Sequence, residues 1–141
     1  MKTIISGSLL LMLMLYACNT TKSPVIVATE KSISGINWYL KKIYQPTGNI
    51  DISNPNAYIK LDAGKNSAGG KGGCNNFGSK YMVSGQQIDF KDIFSTKMYC
   101  EKFQQQEDSF FQQLEKVNRY DVKEGKLLLY RDSELLLEFG K

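Results

Sequence analysis

Tyr120-Asp121-Val122-Lys123-Glu124-Gly125-Lys126-Leu127-Leu128-Leu129-Tyr130-Arg131-Asp132-Ser133-Glu134-Leu135-Leu136-Leu137-Glu138-Phe139 reads as three β-strands joined by two tight turns. Glu124-Gly125 and Asp132-Ser133 are two-residue turn pairs, so the strands they join should pair antiparallel. Leu127–Leu129 and Leu135–Leu137 are more apolar than strands with one wet face, which predicts cover on both faces. One cover is supplied just upstream. Phe103, Glu107, Phe110, Phe111, Leu114 and Val117 recur at three- and four-residue steps, the signature of a helix whose Gln-rich positions face away and which Asn118-Arg119 closes.

Working back toward the amino terminus, short segments rich in β-branched and aromatic residues alternate with Gly, Asn, Asp and Pro clusters. Strands are expected near Asn37–Tyr44, Tyr58–Asp62, Gly69–Gly73, Lys80–Val83 and Gln87–Phe90, ahead of those at Tyr120–Lys123, Lys126–Tyr130 and Leu135–Phe139. Gln45–Asn56 holds two prolines and several turn formers and is expected to be a long surface loop. The fold class is therefore mainly β (α+β), with one helix packed on antiparallel strands.

The opening residues have a different purpose. Lys2 precedes an apolar stretch from Ile4 to Tyr16, the layout of a secretory signal and too short to span a bilayer, which needs about 20 apolar residues. It ends in Leu15-Tyr16-Ala17-Cys18, which resembles a bacterial lipobox. Residues 1–17 are therefore expected to be removed and Cys18 acylated, palmitate-type chains holding the protein to a membrane. One chain binds marginally at about 0.8 kcal/mol per buried methylene, whereas two anchor stably. Residues 18–35 are the expected tether and residues 36–141 the domain. The expected place is the cell envelope, most naturally the outer membrane facing the periplasm, or the cell surface.

Of 18 basic and 14 acidic residues only Lys2 lies in the signal, so the net charge of +4 becomes +3 after its removal. Nucleic-acid binders concentrate Lys and Arg on one face; the densest run here is Lys41-Lys42, and no nucleic-acid partner is expected. The mature length fits one domain, expected to be monomeric. With Cys18 committed to lipid, Cys74 and Cys100 remain. Three readings stand: a disulfide, two buried free thiols, or a redox couple. A disulfide closing a loop of about 27 residues would be worth about 3.5 kcal/mol.

Catalytic chemistry finds few of its usual parts. The chain contains no histidine, so no Ser-His or Cys-His nucleophile pair can be assembled, and two thiolates alone make no zinc site. Asp89 with Asp92 and Glu107 with Asp108 read as solvated carboxylates, the latter pair placed where a helix's first turn favours negative charge. Gly69-Gly70 and Gly72-Gly73 flank Lys71 but lack the Lys-Ser/Thr of a phosphate loop, so bends and close backbone approach explain them better. Asn75 and Asn76 suit a left-handed or side-chain-bonded turn. No enzyme activity, metal or cofactor is expected.

Trp38-Tyr39-Leu40, Gly72-Gly73-Cys74-Asn75-Asn76-Phe77, Thr96-Lys97-Met98-Tyr99-Cys100 and Glu107 leading into Phe110 and Leu114 follow one another in an order that resembles the META domain, also called HslJ-like. The resemblance covers about Ile36 to Phe139. It implies a small antiparallel β-barrel-like domain with one packed α-helix, frequent in envelope lipoproteins and linked to heat-shock and antibiotic-stress responses, with no established activity. It marks Trp38, Leu40, Gly73, Asn75, Phe77, Thr96 and Met98 as structural motif residues. Trp38, Tyr39, Tyr44, Tyr58, Phe77, Tyr81 and Tyr99 should fill such a small barrel, Trp38 above all, rather than line a pocket. The expected function is a non-catalytic envelope lipoprotein acting in stress tolerance through contacts with an unidentified envelope protein, in an inhibitor-like form or otherwise. Gln45–Asn56 is the expected contact surface. The alternative is a carrier or sensor of a small apolar ligand in the barrel.

Overall fold

The computed structural model describes residues 29–50 and 52–141. The expected signal at 1–17, the expected acylation position Cys18 and residues 19–28 of the expected tether lie outside the described residues. In chain order come a helical turn α1 (Glu30–Ile33), β1 (Asn37–Ile43), β2 (Tyr58–Asp62), β3 (Ser67–Lys71), β4 (Asn76–Ser84) and β5 (Gln87–Ser95). Helix α2 (Gln104–Leu114), β6 (Arg119–Lys123), β7 (Lys126–Arg131) and β8 (Glu134–Gly140) follow. Each strand pairs antiparallel with its sequence neighbour, and β8 returns to β1, so the strands close into a ring. Ring closure pairs the main-chain groups that an open sheet would leave at its edges.

The three-strand tail forms as its turn residues dictate. Lys123 pairs with Lys126 and Arg131 with Glu134, leaving two-residue loops. Glu124 and Gly125 both have positive φ, 51° and 75°, the mirror-image turn whose twist matches that of the flanking strands. Alternation then sends Leu127 and Leu129 inward, while β8 buries both Leu136 and Leu137 beside a register shift. The expected cover is present: α2 packs chiefly against β8 and β1, with the Phe110 ring 6.4 Å from Phe139 and 5.4 Å from Phe77.

Period-two alternation also fills the interior from the other strands. Trp38, Leu40 and Ile43 from β1, Ile59 and Leu61 from β2, Tyr81 from β4, Ile88 from β5 and Tyr120 from β6 join Phe110, Leu114 and Val117 in the buried interior. Full burial of such a side chain stabilises the fold by about 1.5–3 kcal/mol.

The domain starts before Ile36, where the tether was expected to end. Ile33 is fully buried, and its carbonyl accepts a 2.9 Å hydrogen bond from the indole of Trp38. The Ser34 hydroxyl donates to the Leu61 carbonyl at 3.1 Å and accepts from the Ala63 N–H at 2.9 Å. β3 runs over Ser67–Lys71, two residues earlier than Gly69–Gly73, because at Gly72 the chain leaves the sheet and turns against α2. Gly70 is required where it stands: a Cβ there would collide with the Tyr58 carbonyl of the neighbouring strand. β4 and β5 are each longer than expected, through Gly78, which Phe94 covers from the facing position.

The ring has one weak seam. β5 and β6 share a single register pair, Gln87 with Arg119, flanked by the bonds Ile88 N–H to Asn118 carbonyl (3.2 Å) and Tyr120 N–H to Gln86 carbonyl (2.9 Å). Helix α2 lies between these strands in sequence, and the chain returns only at the start of β5. The rest of β5 therefore has β4 as its one strand neighbour among the described residues.

Candidate functional site

Gly73, Asn75 and, through Asn75, Thr96 and Met98 converge on a single carboxylate. Glu107 sits in the first turn of α2 and is only 3 % exposed. Its Oε2 accepts from three successive backbone N–H groups, Gly73 (3.1 Å), Cys74 (2.8 Å) and Asn75 (2.6 Å), and its Oε1 accepts from the Asn75 amide. Successive N–H groups aimed at one point form an anion-binding concavity. The glycine-rich segment thus does cradle an anion, and the anion is the domain's own. Gly72 and Gly73 allow it: a Cβ on either would press on Glu107, Phe110 or Phe111 at 3.0–3.3 Å. Burial pushes the Glu107 carboxyl up, but the bonds from Asn75, Cys74 and Gly73 together outweigh it and hold it below the ordinary carboxylate range.

Asn75 carries the network onward. Its side chain donates to the Met98 carbonyl (2.9 Å) and accepts from the Thr96 hydroxyl (2.7 Å) and the Met98 N–H (2.8 Å). Cys74 and Cys100 are joined by a disulfide across a Cα separation of 6.1 Å, fixing the same segment a second time. On the other side Gln106, 2 % exposed, accepts from the Asn54 N–H (2.8 Å) and the Ser53 hydroxyl (3.0 Å) and donates to the Gly72 carbonyl (3.2 Å); the Asn54 amide donates to the Gly73 carbonyl. Three loops and a helix terminus are held in one polar knot.

Several expectations are corrected here. Glu107 is not a solvated carboxylate, and Gln106 and Gln113, expected to face away, are buried. Asn75 and Asn76 are absent from the positive-φ positions; Asn75 instead bonds across a long sequence separation, and Asn76 opens β4. Gln45–Asn56 is a surface loop as expected, with Pro46–Asn49, Ser53, Pro55 and Asn56 exposed, but it is anchored: Ile50 bridges to Ile43, Ile50 and Ile52 pack on the core, and Asn54 is buried in the knot. Trp38, Leu40, Phe77 and Tyr81 are buried as core, while Tyr39, Tyr44 and Tyr58 are half-buried and Tyr99 is 78 % exposed. Gly73 lies in the cradle, Thr96 and Met98 on its outer wall.

Among the described residues, no group of three or more His, Cys, Asp or Glu is placed to hold a metal ion. Glu138, a half-buried carboxylate whose pKa is also lowered, is held down by its bond to Lys126, against burial and with help from the Tyr44 hydroxyl at 3.0 Å. It lies on the outside of the β1–β8 pair.

Two grooves open on the outer surface. The larger, about 610 Å³, follows the β5–β6 seam between Met82, Val83 and Ile88 on one side and Asn118, Arg119 and Asp132 on the other. Arg119 is fixed there, its guanidinium 3.9 Å from the Tyr130 ring centroid and its Nε donating to the Asp132 carbonyl at 2.8 Å. The smaller, about 440 Å³, lies over the knot between Thr96, Met98 and Tyr99 and the Glu107–Phe111 turn of α2.

The ring, its filled interior and the single packed helix define a small β domain whose polar knot is structural. The META domain family model matches residues 31–141, and the chain belongs to that family. A solved NMR structure of a protein from Burkholderia xenovorans shares the fold at a TM-score of 0.65, with 21 % identity over 78 % of this chain and 83 % of that one. A second NMR structure matches at a TM-score of 0.58 and 17 % identity, over 79 % of this chain and 94 % of the other. None of the curated proteins matches the chain.

Proposed function

We propose that this protein is a lipid-anchored, non-catalytic domain of a bacterial cell envelope that serves stress tolerance through protein contacts, made at the groove along the β5–β6 seam. The observation that carries this reading is where the free volume lies. The interior that a carried apolar ligand would need is occupied by Trp38, Tyr81, Tyr120, Phe110 and Phe139, whereas the 610 Å³ groove is outside and open. Its lining suits a protein partner. Met, Arg and Tyr are enriched at interface cores, and the seam presents Met82 at 58 % exposure beside an Arg119 already held by Tyr130 and Asp132. An inhibitor-like action, in which this groove receives a segment of an envelope enzyme, is the narrower form of the same proposal.

The test is crosslinking and recovery from the native envelope with the parent chain and with a Met82→Glu, Arg119→Glu double variant. Recovery of a specific partner should fall by at least about tenfold in the variant, the size expected when central interface anchors are lost, with the melting temperature little changed. Equal recovery by both proteins would sink the groove as the contact site. A gene-deletion strain should be more sensitive to envelope stress; an unaffected strain would remove the physiological part of the proposal.

A further inference from the structure

Large apolar side chains that stay exposed on a rigid backbone call for a cover. Among the described residues the exposed large hydrophobics are Met82, in the seam groove, and Phe94, Met98 and Tyr99, at 70 %, 57 % and 78 % exposure within six residues of sequence. The three are not on a loose loop. Phe94 lies across Gly78 in the β4–β5 pair, Met98 is bonded through its main chain to Asn75, and Cys100 is tied to Cys74. Exposed Lys91, Lys97 and Lys102 lie in the same stretch of chain, with Asp92 taken up by Lys80 at 2.8 Å and Glu101 the other acid of the segment. Aromatic and Met side chains interspersed with lysines, whose stems can lie along apolar surface, form the composition of a membrane–water boundary.

We propose that Phe94, Met98 and Tyr99 form a ledge that docks onto the bilayer in which the protein's own anchor sits. This rests on acylation at Cys18. Reach supports the occupant. Cys18 is eleven residues before Thr29, a stretch of up to about 36–40 Å. Ser34 bridges to Leu61, and the register runs from Lys60 to Gly69, Gly78 and Phe94, four strand spacings or roughly 19 Å from the start of the domain. The tether is longer than that path, so the ledge reaches the membrane surface without strain. A short tether also raises the local concentration to the millimolar range, where a weak apolar patch binds.

The experiment couples the mature chain through its Cys18 thiol to a maleimide-headgroup lipid in phosphatidylethanolamine–phosphatidylglycerol vesicles, leaving the Cys74–Cys100 disulfide intact. Met98 oxidation by dilute peroxide should slow by at least about fivefold relative to the uncoupled chain. A Phe94→Ser, Tyr99→Ser double variant, with Tyr99→Ser alone as a check on folding, should lose most of that protection. Equal oxidation of coupled and free chains would overturn the ledge. So would protection that appears only after envelope extract is added, which would assign the surface to a protein. The anchor is read separately, by the intact mass of the protein from its own envelope: an unmodified Cys18 would overturn acylation, whereas the coupled vesicles report on the ledge alone.

Discussion

A buried carboxylate that accepts four hydrogen bonds stabilises a fold through charge-assisted contacts, each worth about 1.5–3 kcal/mol. Glu107 is in that position, and Glu107→Gln, which keeps the shape but turns an amide toward N–H groups, should cost about 2–4 kcal/mol in denaturant unfolding. The same carboxylate sets a pH dependence. Its folded pKa is lowered, so its contribution is complete above the unfolded carboxylate range and is lost as pH falls through the folded value. Melting temperature should therefore drop on acidification below about pH 4.3, with a flatter profile for Glu107→Gln; parallel profiles would contradict the cradle. Part of this was legible in the sequence, because Glu107 falls on the apolar stripe with Phe103, Phe110 and Leu114. The destination was not. Its partners lie more than thirty residues away, and three of the four are backbone N–H groups, which carry no residue signature.

At the level of strands and helices, propensity and turn chemistry place most of the fold. The eight strands and the helix occur where the alternation and the three-to-four-residue period put them, and the tail hairpins turn at Glu124-Gly125 and Asp132-Ser133. The misjudged boundaries are those that tertiary contacts set. β3 shifts because Gly72-Gly73 is drawn toward α2, and the Gln45–Asn56 loop is claimed by Gln106, whose side chain outcompetes solvent for Asn54. Gly70 gives a direct check on the sheet. With no room for a Cβ beneath the Tyr58 carbonyl, Gly70→Ala should destabilise by at least about 2 kcal/mol in chemical unfolding. A neutral result would mean that β2 and β3 are less closely approached than the register requires.

For the molecule as a whole, barrel-like architecture and family membership were open to the sequence through its motifs, but the two surfaces proposed as contact sites were not. The seam exists because a helix intervenes between β5 and β6, and the exposure of Phe94, Met98 and Tyr99 depends on which face of the ring they occupy. Counting cysteines left a disulfide as one of three readings for Cys74 and Cys100, and the structure joins them. The disulfide closes a loop of about 27 residues around β4 and β5, and reduction, or Cys74→Ala with Cys100→Ala, should lower unfolding free energy by about 3.5 kcal/mol. The knot around Glu107 should keep the reduced protein folded, so near-ultraviolet circular dichroism should persist after reduction while the denaturation midpoint falls.

The ring closes by joining β1 to β8, with Tyr39 opposite Gly140 and Leu40 opposite Phe139. The first strand made thus waits for the last. A chain that appears amino terminus first cannot bury Trp38 and Leu40 against their final neighbours until Phe139 is also free to pair, since pairing between distant segments must await both. The topology thus makes release of the last strand the event that completes folding.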